Sequence, residues 1–366
     1  MTNILSVEFL QFTVRAALFC CAATAATIPV FGSADTLEPK RPNIVLLLAD
    51  DLGFADLGSY GSEINTPNID RLAASGMRFS NFHVAASCAP TRAMLMTGLD
   101  SHTAGVANIP EAIPEEQAHA PAYQGVLKTD IPTVAEMLQS VGYRTLMTGK
   151  WHLGFSDGEK PNERGFDRTL MLADTGADNW RQRSYLPIYA EANWFEDGEP
   201  TSLPENFYSS EYLVDKAIEY IGNQSKQPFF AYVAFQAVHI PVQAPAAFRD
   251  KYLQSYTGGW HDLRTARSEG LARTGVLPAV LEGREMPTTP AWQSLSAEQQ
   301  SFEARGMAVY AGMVDAMDFH VGRLIEHIEK IGELDNTVFI FLSDNGAEGS
   351  IVTRHLAPDS KAPVRP

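Results

Sequence analysis

The chain has 366 residues, 45% of them hydrophobic and 10% aromatic, so it can bury one large core or two smaller ones, and disorder is not expected. Its formal net charge of −16, with no strongly basic run, argues against nucleic acid and anionic membranes as partners. Any anionic ligand must be drawn by local cations.

At the N-terminus, Arg15 precedes the small, apolar stretch 16–30, and Phe31-Gly32-Ser33-Ala34 offers small residues suited to a signal peptidase. Thr24, Thr27 and Pro29 interrupt the run, which is short for a membrane span. Residues 1–34 are therefore read as an export signal, cleaved after Ala26 or Ala34, with no stable membrane insertion after processing and a periplasmic or secreted mature chain. Phe19 before Cys20 disfavours a lipoprotein attachment site. Of the three cysteines, Cys20 and Cys21 leave with the signal and Cys88 remains, so no disulfide can form within the mature chain.

The run Asn43 to Ala49 is continuously apolar and of strand length, the pattern of a strand buried on both faces of a parallel sheet. It ends at Asp50-Asp51-Leu52-Gly53, where open α/β sheets place ligands, and a cation is an economical way to keep adjacent carboxylates ionised. Thr66-Pro67 starts a helix that stops at Gly76, and a strand is expected from Met77 to about Val84. Ser87 or Cys88 then caps a helix that carries Pro90 in its first turn. Cys88 faces the positive end of that helix, and Arg92, one turn on, adds a fixed cation on the same face. Together they read as an anion site with a reactive side chain inside it.

Residues 99–130, with prolines at 110, 114 and 121, form a long irregular section of the kind that shapes a site, with His102 a weak candidate for its lining. Thr133 caps a helix to Ser140, and a strand from Tyr143 to Met147 delivers Thr148-Gly149-Lys150-Trp151-His152-Leu153-Gly154. Lys150 and His152, two apart, would project to one side of an extended chain. The segment 180–207 reads as a loop or hairpin excursion, Tyr208 to Asn223 as an amphipathic helix, and Pro228 to Phe235 as another buried strand. His239 follows that strand's carboxyl end, where a loop histidine could bind an anion or donate to a leaving oxygen.

Residues 246–301 are polar and Gly/Pro-punctuated. Ser301 to Ile331 is a long amphipathic helix whose Asp315, Asp318 and His320 are taken as surface or packing residues. Asn336 to Leu342 is a last apolar strand, ending at Ser343-Asp344-Asn345-Gly346. Asp50, Asp51, Asp344 and Asn345 supply oxygen donors without a cysteine or histidine cluster, which points to a hard cation, Ca2+ first and Mg2+ second. The alternation of strands and helices gives an α/β fold, a three-layer α/β/α sandwich around a mostly parallel mixed sheet.

Cys88-Ala89-Pro90-Thr91-Arg92 resembles the Cys-x-Pro-x-Arg signature of the type I, formylglycine-dependent sulfatases of the alkaline phosphatase superfamily. Segments 43–53, 149–154, 239–245 and 343–346 resemble others of that family in the same order, and together they look like a bacterial arylsulfatase. Residues 161–167 resemble the family too, in a structural role. The resemblance implies that a formylglycine-generating or sulfatase-maturing enzyme oxidises Cys88 to an aldehyde, whose hydrate attacks a sulfate ester. It also implies a metal held by Asp50, Asp51, residue 88, Asp344 and Asn345. Asp344 would act as base, while Arg92, Lys150 and His239 contact the sulfate and assist the leaving oxygen. His152 would take the proton that expels sulfate.

The catalytic domain would occupy residues 35–346, leaving 347–366 as a short tail. The family's further lysine and its smaller C-terminal domain have no counterpart here, since Lys361 stands in the wrong context, so the chain is expected to be truncated or shortened. Three readings stay open: a sulfatase for aryl or simple alkyl sulfates, a phosphodiester or phosphonate ester hydrolase of the same superfamily, and an inactive metal- or anion-binding remnant.

Overall fold

Seven consecutive residues with no charge among them form strand β1 (Asn43–Ala49), which is buried on both faces. Val45, Leu47 and Ala49 enter one core, and Leu46 and Leu48 the other. That alternation is the two-residue period of a strand sandwiched between helical layers. The computed structural model describes residues 40–186, 188–223, 227–277 and 289–348. The expected export signal with Cys20 and Cys21, and the tail from residue 349 with Lys361, lie outside the described residues. Residues 41 onward make up one unit, and residues 1–40 a second of which only Lys40 is described.

The remaining strands are β2 (Arg144–Lys150), β3 (Arg168–Leu172), β4 (Trp194–Glu196), β5 (Glu199–Pro200), β6 (Phe229–Ala234) and β7 (Thr337–Ser343). They form one sheet in the order β5-β4-β3-β2-β6-β1-β7. Strands β3, β2, β6, β1 and β7 run parallel, with Leu47 opposite both Val233 and Phe341. β4 and β5 close one side as an antiparallel hairpin. The sheet is mostly parallel and mixed, as expected, and it brings the carboxyl ends of β1, β2, β6 and β7 to one rim.

The helices are α1 (Pro67–Ser75), α2 (Cys88–Thr97), α3 (Ser101–Ala104), α4 (Val134–Ser140), α5 (Ser209–Ile221), α6 (Ala246–Arg249), α7 (Trp260–Arg273) and α8 (Ala297–Lys330). Apolar side chains of α1, α5 and α8 pack on the sheet face carrying Val45 and Leu47. Those of α2, α3 and α4 pack on the face carrying Leu46 and Leu48. This is the three-layer α/β/α sandwich. Helix α8 begins before the expected Ser301, because Ser296 and Gln299 form a reciprocal capping box.

The strand expected over residues 77–84 does not form. A strand exists only by pairing its backbone, and among the described residues none pairs there, so Met77, Phe79 and Phe82 stay exposed. Conversely, β3 carries no strong strand signal and exists because β2 offers it a parallel partner from Leu146 to Lys150.

Asp315, Asp318 and His320 are buried packing residues of α8. Asp318 accepts hydrogen bonds from the backbone N–H groups of Asn68 (3.2 Å) and Ile69 (2.8 Å), in the first turn of α1. Thr66, the N-cap of α1, makes no side-chain cap of its own, so the neighbouring helix supplies one. Asp318→Ala is expected to lower stability by about 1–2 kcal/mol, read from denaturant midpoints at unchanged slope.

Candidate functional site

Helix α2 starts at Cys88 with Ser87 as an extended N-cap residue whose side chain makes no cap hydrogen bond. The first turn thus keeps its positive end free for anions. Arg92, four residues on, is fully buried and reaches back across the rim. Its Nε and Nη2 donate to Asp344 Oδ2 at 2.9 and 2.7 Å, and its Nη1 donates to the Lys150 carbonyl at 2.7 Å. Nη2 also stands 3.3 Å from Asp50 Oδ1. Lys150 ends β2, and its Nζ donates to both Asp50 oxygens at 2.9 and 2.8 Å. Burial works against the Lys150 ammonium, but Asp50 outweighs it and pushes the pKa up, so the lysine stays charged.

The acidic groups come from two adjacent strand ends. Asp51, at φ 61°, turns the chain into the left-handed region immediately after β1, and its N–H donates to Asp344 Oδ1 at 3.2 Å. Asn345 Nδ2 donates to Asp51 Oδ1 at 2.6 Å. Asp51 Oδ2 and Asn345 Oδ1 are both buried acceptors without a hydrogen-bond partner among the described residues. Ligating atoms of Asp50, Cys88 and Asp344 lie within 4.8 Å of one another, as do those of Asp51, Cys88 and His239. Burial and the neighbouring Asp50 raise the Asp344 pKa despite Arg92 and Lys150. Two orphaned oxygens and three carboxylates fit a hard divalent cation, which would satisfy the unpaired acceptors and relieve the repulsion.

His239 is placed by the loop after β6, which is tied to Asp50 through the Asp50 N–H to Ala237 carbonyl bond (2.9 Å) and the Val238 N–H to Asp50 carbonyl bond (2.6 Å). Its Nδ1 lies 2.6 Å from the Ile240 carbonyl, which can only accept, so Nδ1 carries a proton and Nε2 is turned toward Asp51 Oδ2 at 3.7 Å. The ring of Tyr185 packs edge-on against it, 5.4 Å between centroids. A Cβ at Gly176 would stand 2.9 Å from His239 Nδ1, so glycine there allows the approach.

Lys150 and His152 do not project to one side as an extended chain would direct them. β2 ends at Lys150, and His152 sits at φ 56°, in the left-handed region. Lys150 goes to Asp50, whereas His152 Nε2 lies 3.0 Å from Glu111 Oε2. Burial, with Lys150 and Arg92 as further opposing charges, pushes the His152 pKa down to about 4 even with Glu111 beside it, so the imidazole is neutral at pH 7. Glu111 and Tyr189, whose Oη donates to Glu111 Oε1 at 2.9 Å, went unread in the sequence, as did Tyr185. The irregular stretch 99–130 holds Glu111 and the excursion 180–207 holds both tyrosines, but neither gives a reason to choose them. His102 is exposed and pairs with Asp100, outside this cluster.

Burial pushes the Cys88 thiol well above its ordinary pKa, despite the nearby Lys150 ammonium. As a thiol it is protonated and a poor nucleophile. The rim thus sets two fixed cations, Arg92 and Lys150, beside residue 88 at the first turn of α2, an arrangement suited to an anion.

Comparison with known proteins gives the same direction. A family model described as Sulfatase matches residues 42–363. An uncharacterized sulfatase of Schizosaccharomyces pombe is 39% identical over 90% of this chain and 62% of its own length. An arylsulfatase of Klebsiella aerogenes is 34% identical over 89% of this chain and 70% of its own. Among solved structures, Ps i-CgsB in complex with a neocarrahexaose aligns with a TM-score of 0.61 at 29% identity, covering 84% of this chain and 59% of that one. A phosphonate monoester hydrolase of Agrobacterium radiobacter aligns at 0.53 and 21% identity, a likeness of fold. The chain thus spans 59% to 70% of the length of these relatives.

Proposed function

The chain belongs to the sulfatase family, and on that premise we propose that it hydrolyses aryl or simple alkyl sulfate esters to an alcohol or phenol and inorganic sulfate. The observation that carries this reading is the convergence of Arg92, Lys150, Asp50, Asp51, Asp344, Asn345 and His239 around residue 88 at one rim. The reading takes Cys88 to be converted to formylglycine by a maturing enzyme, in an exported chain that works in the periplasm or outside the cell. No described helix is long and apolar enough to cross a membrane.

Asp50, Asp51, Asp344, Asn345 and residue 88 would hold a divalent ion, Ca2+ before Mg2+, which when bound supplies Lewis-acid polarisation of a sulfonyl oxygen and favours the ionised nucleophile. Arg92 and Lys150 would hold sulfonyl oxygens as charge develops on them, both cations being fully buried. His239 Nε2, turned toward Asp51 Oδ2, would supply a proton to the departing oxygen when the ring carries a second proton beside the one on Nδ1. Asp344, with its raised pKa, is suited to accept the proton of the attacking hydroxyl, and neutral His152 to accept a second one.

Two measurements test this. Nitrophenyl sulfate should turn over faster than a nitrophenyl phosphodiester; dominance of the phosphodiester would move the assignment to that branch of the superfamily, and inertness toward both despite formylglycine at position 88 would leave a binding remnant. Ca2+ at about 100 times its dissociation constant should raise stability by about 2.7 kcal/mol. Asp51→Asn with Asn345→Ala should remove that rise, and its persistence would place the ion elsewhere.

A further inference from the structure

We propose that Glu111 is a positioning residue that fixes the tautomer of His152, keeping the imidazole proton on Nε2 and leaving Nδ1 as a free lone pair. The proposal rests on the hydrolase reading only for its kinetic consequence. Glu111 lies in a short 3-10 turn, Pro110–Ala112, of the long loop between α3 and α4, and its side chain is 8% exposed. Oε2 stands 3.0 Å from His152 Nε2, and Oε1 accepts from Tyr189 Oη at 2.9 Å.

Burial alone would raise the carboxyl's pKa, but the contacts with His152 and Tyr189 outweigh it and keep Glu111 ionised. An ionised carboxylate has no proton to give, so the Glu111–His152 hydrogen bond can form only with the proton on Nε2. A neutral imidazole has one ring proton, which leaves Nδ1 as acceptor. Nδ1 is buried and has no partner among the described residues. It belongs to a ring that is 2% exposed and feels the charges of both Lys150 and Arg92, the two cations of the anion site. Burying an unsatisfied acceptor costs about 1–3 kcal/mol, an expense expected where the lone pair is used. The left-handed backbone at His152 is a second local cost, tolerated when the surroundings over-determine the conformation. Glu111, itself held by Tyr189, is one of the groups that does so. A base whose lone pair is fixed in place by a carboxylate on its far nitrogen is suited to take a proton from a hydroxyl at residue 88 or from a water.

The test is 15N NMR of the imidazoles in the full chain with Cys88 unmodified, the His152 signals being identified by their loss in His152→Gln. The wild type should show a pyrrole-type Nε2 and a pyridine-type Nδ1 near pH 7. Glu111→Ala should bring the two shifts toward each other as the tautomers exchange, and Glu111→Gln, whose carbonyl still accepts, should largely restore the pattern. A proton on Nδ1 in the wild type, or shifts unmoved by Glu111→Ala in a folded variant, overturns the proposal. In matured enzyme, Glu111→Ala should lower kcat about 10–100-fold with little change in KM, as is typical when the partner of a functional histidine is lost. The expected tautomer in an inert wild type would uphold the positioning role while the hydrolase reading failed. Turnover with the wrong tautomer would do the reverse.

Discussion

Cys88→Ala reduces nitrophenyl sulfate hydrolysis by about 10⁴-fold or more, while the protein stays folded. The size follows from the role: removing a nucleophile removes the covalent step, and what remains is binding and charge stabilisation alone. Little stability is at stake, because Cys88 contributes one buried sulfur at a helix start and the change removes roughly one methylene's worth of packing, about 1 kcal/mol. The variant also separates two chemistries. A thiolate mechanism would require Cys88 to ionise, yet burial holds its pKa well above the usual thiol value, and Asp50, Asp344 and Asp51 add to that effect. Peptide mass spectrometry across residue 88 of exported protein should therefore find the mass loss of a thiol-to-aldehyde conversion in active material. Full activity from unconverted cysteine, or undiminished activity in the alanine variant, would falsify the assignment of this residue.

The parts of the molecule legible in the sequence are those whose pattern is dictated locally or by two-sided burial. β1 and β6 read as strands because parallel strands between helical layers leave no face for polar residues, and the carboxylates that follow β1 and β7 mark the rim by their position. Thr133 announces α4 through a capping box with Glu136 that needs nothing from the rest of the fold. Elements that depend on a partner were misread in both directions. Residues 77–84 have strand composition and no strand, whereas β3 has little and is one. Helix α7 lies in the stretch that resisted reading because, of its fourteen residues, only Gly270 and Leu271 are buried, which leaves no apolar stripe to recognise.

The same division holds at the site. Residues at strand ends or on the first turn of α2 could be located from their neighbours in sequence. Glu111 is brought to His152 across 41 positions by a loop without periodicity, and no local pattern foretells that. His152 points away from the direction an extended chain would give it, because extended geometry stops at Lys150.

Arg92→Met is expected to cost about 3–5 kcal/mol of stability and to lower kcat by at least about 100-fold. Among the described residues at the rim, Asp50, Asp51 and Asp344 face only Arg92 and Lys150 as fixed cations, so the deletion leaves three carboxylates against one ammonium. The stability loss arises from Asp344, which keeps its burial and loses both short contacts. Asp344→Asn made in the Arg92→Met background should therefore recover much of the stability, because a neutral amide no longer needs a counter-charge, and recover none of the activity. Their coupling energy in a double-mutant cycle measures the pair directly. Arg92→Lys keeps the charge but cannot fork between Asp344 and the Lys150 carbonyl, so it should fall between wild type and Arg92→Met in stability and remain catalytically poor. Saturating Ca2+ should stabilise Arg92→Met more than wild type, since a divalent ion substitutes for the missing positive charge among the same carboxylates. An equal shift in both proteins would mean that ion and guanidinium do not share a carboxylate, and the arrangement of charges drawn here would have to be abandoned.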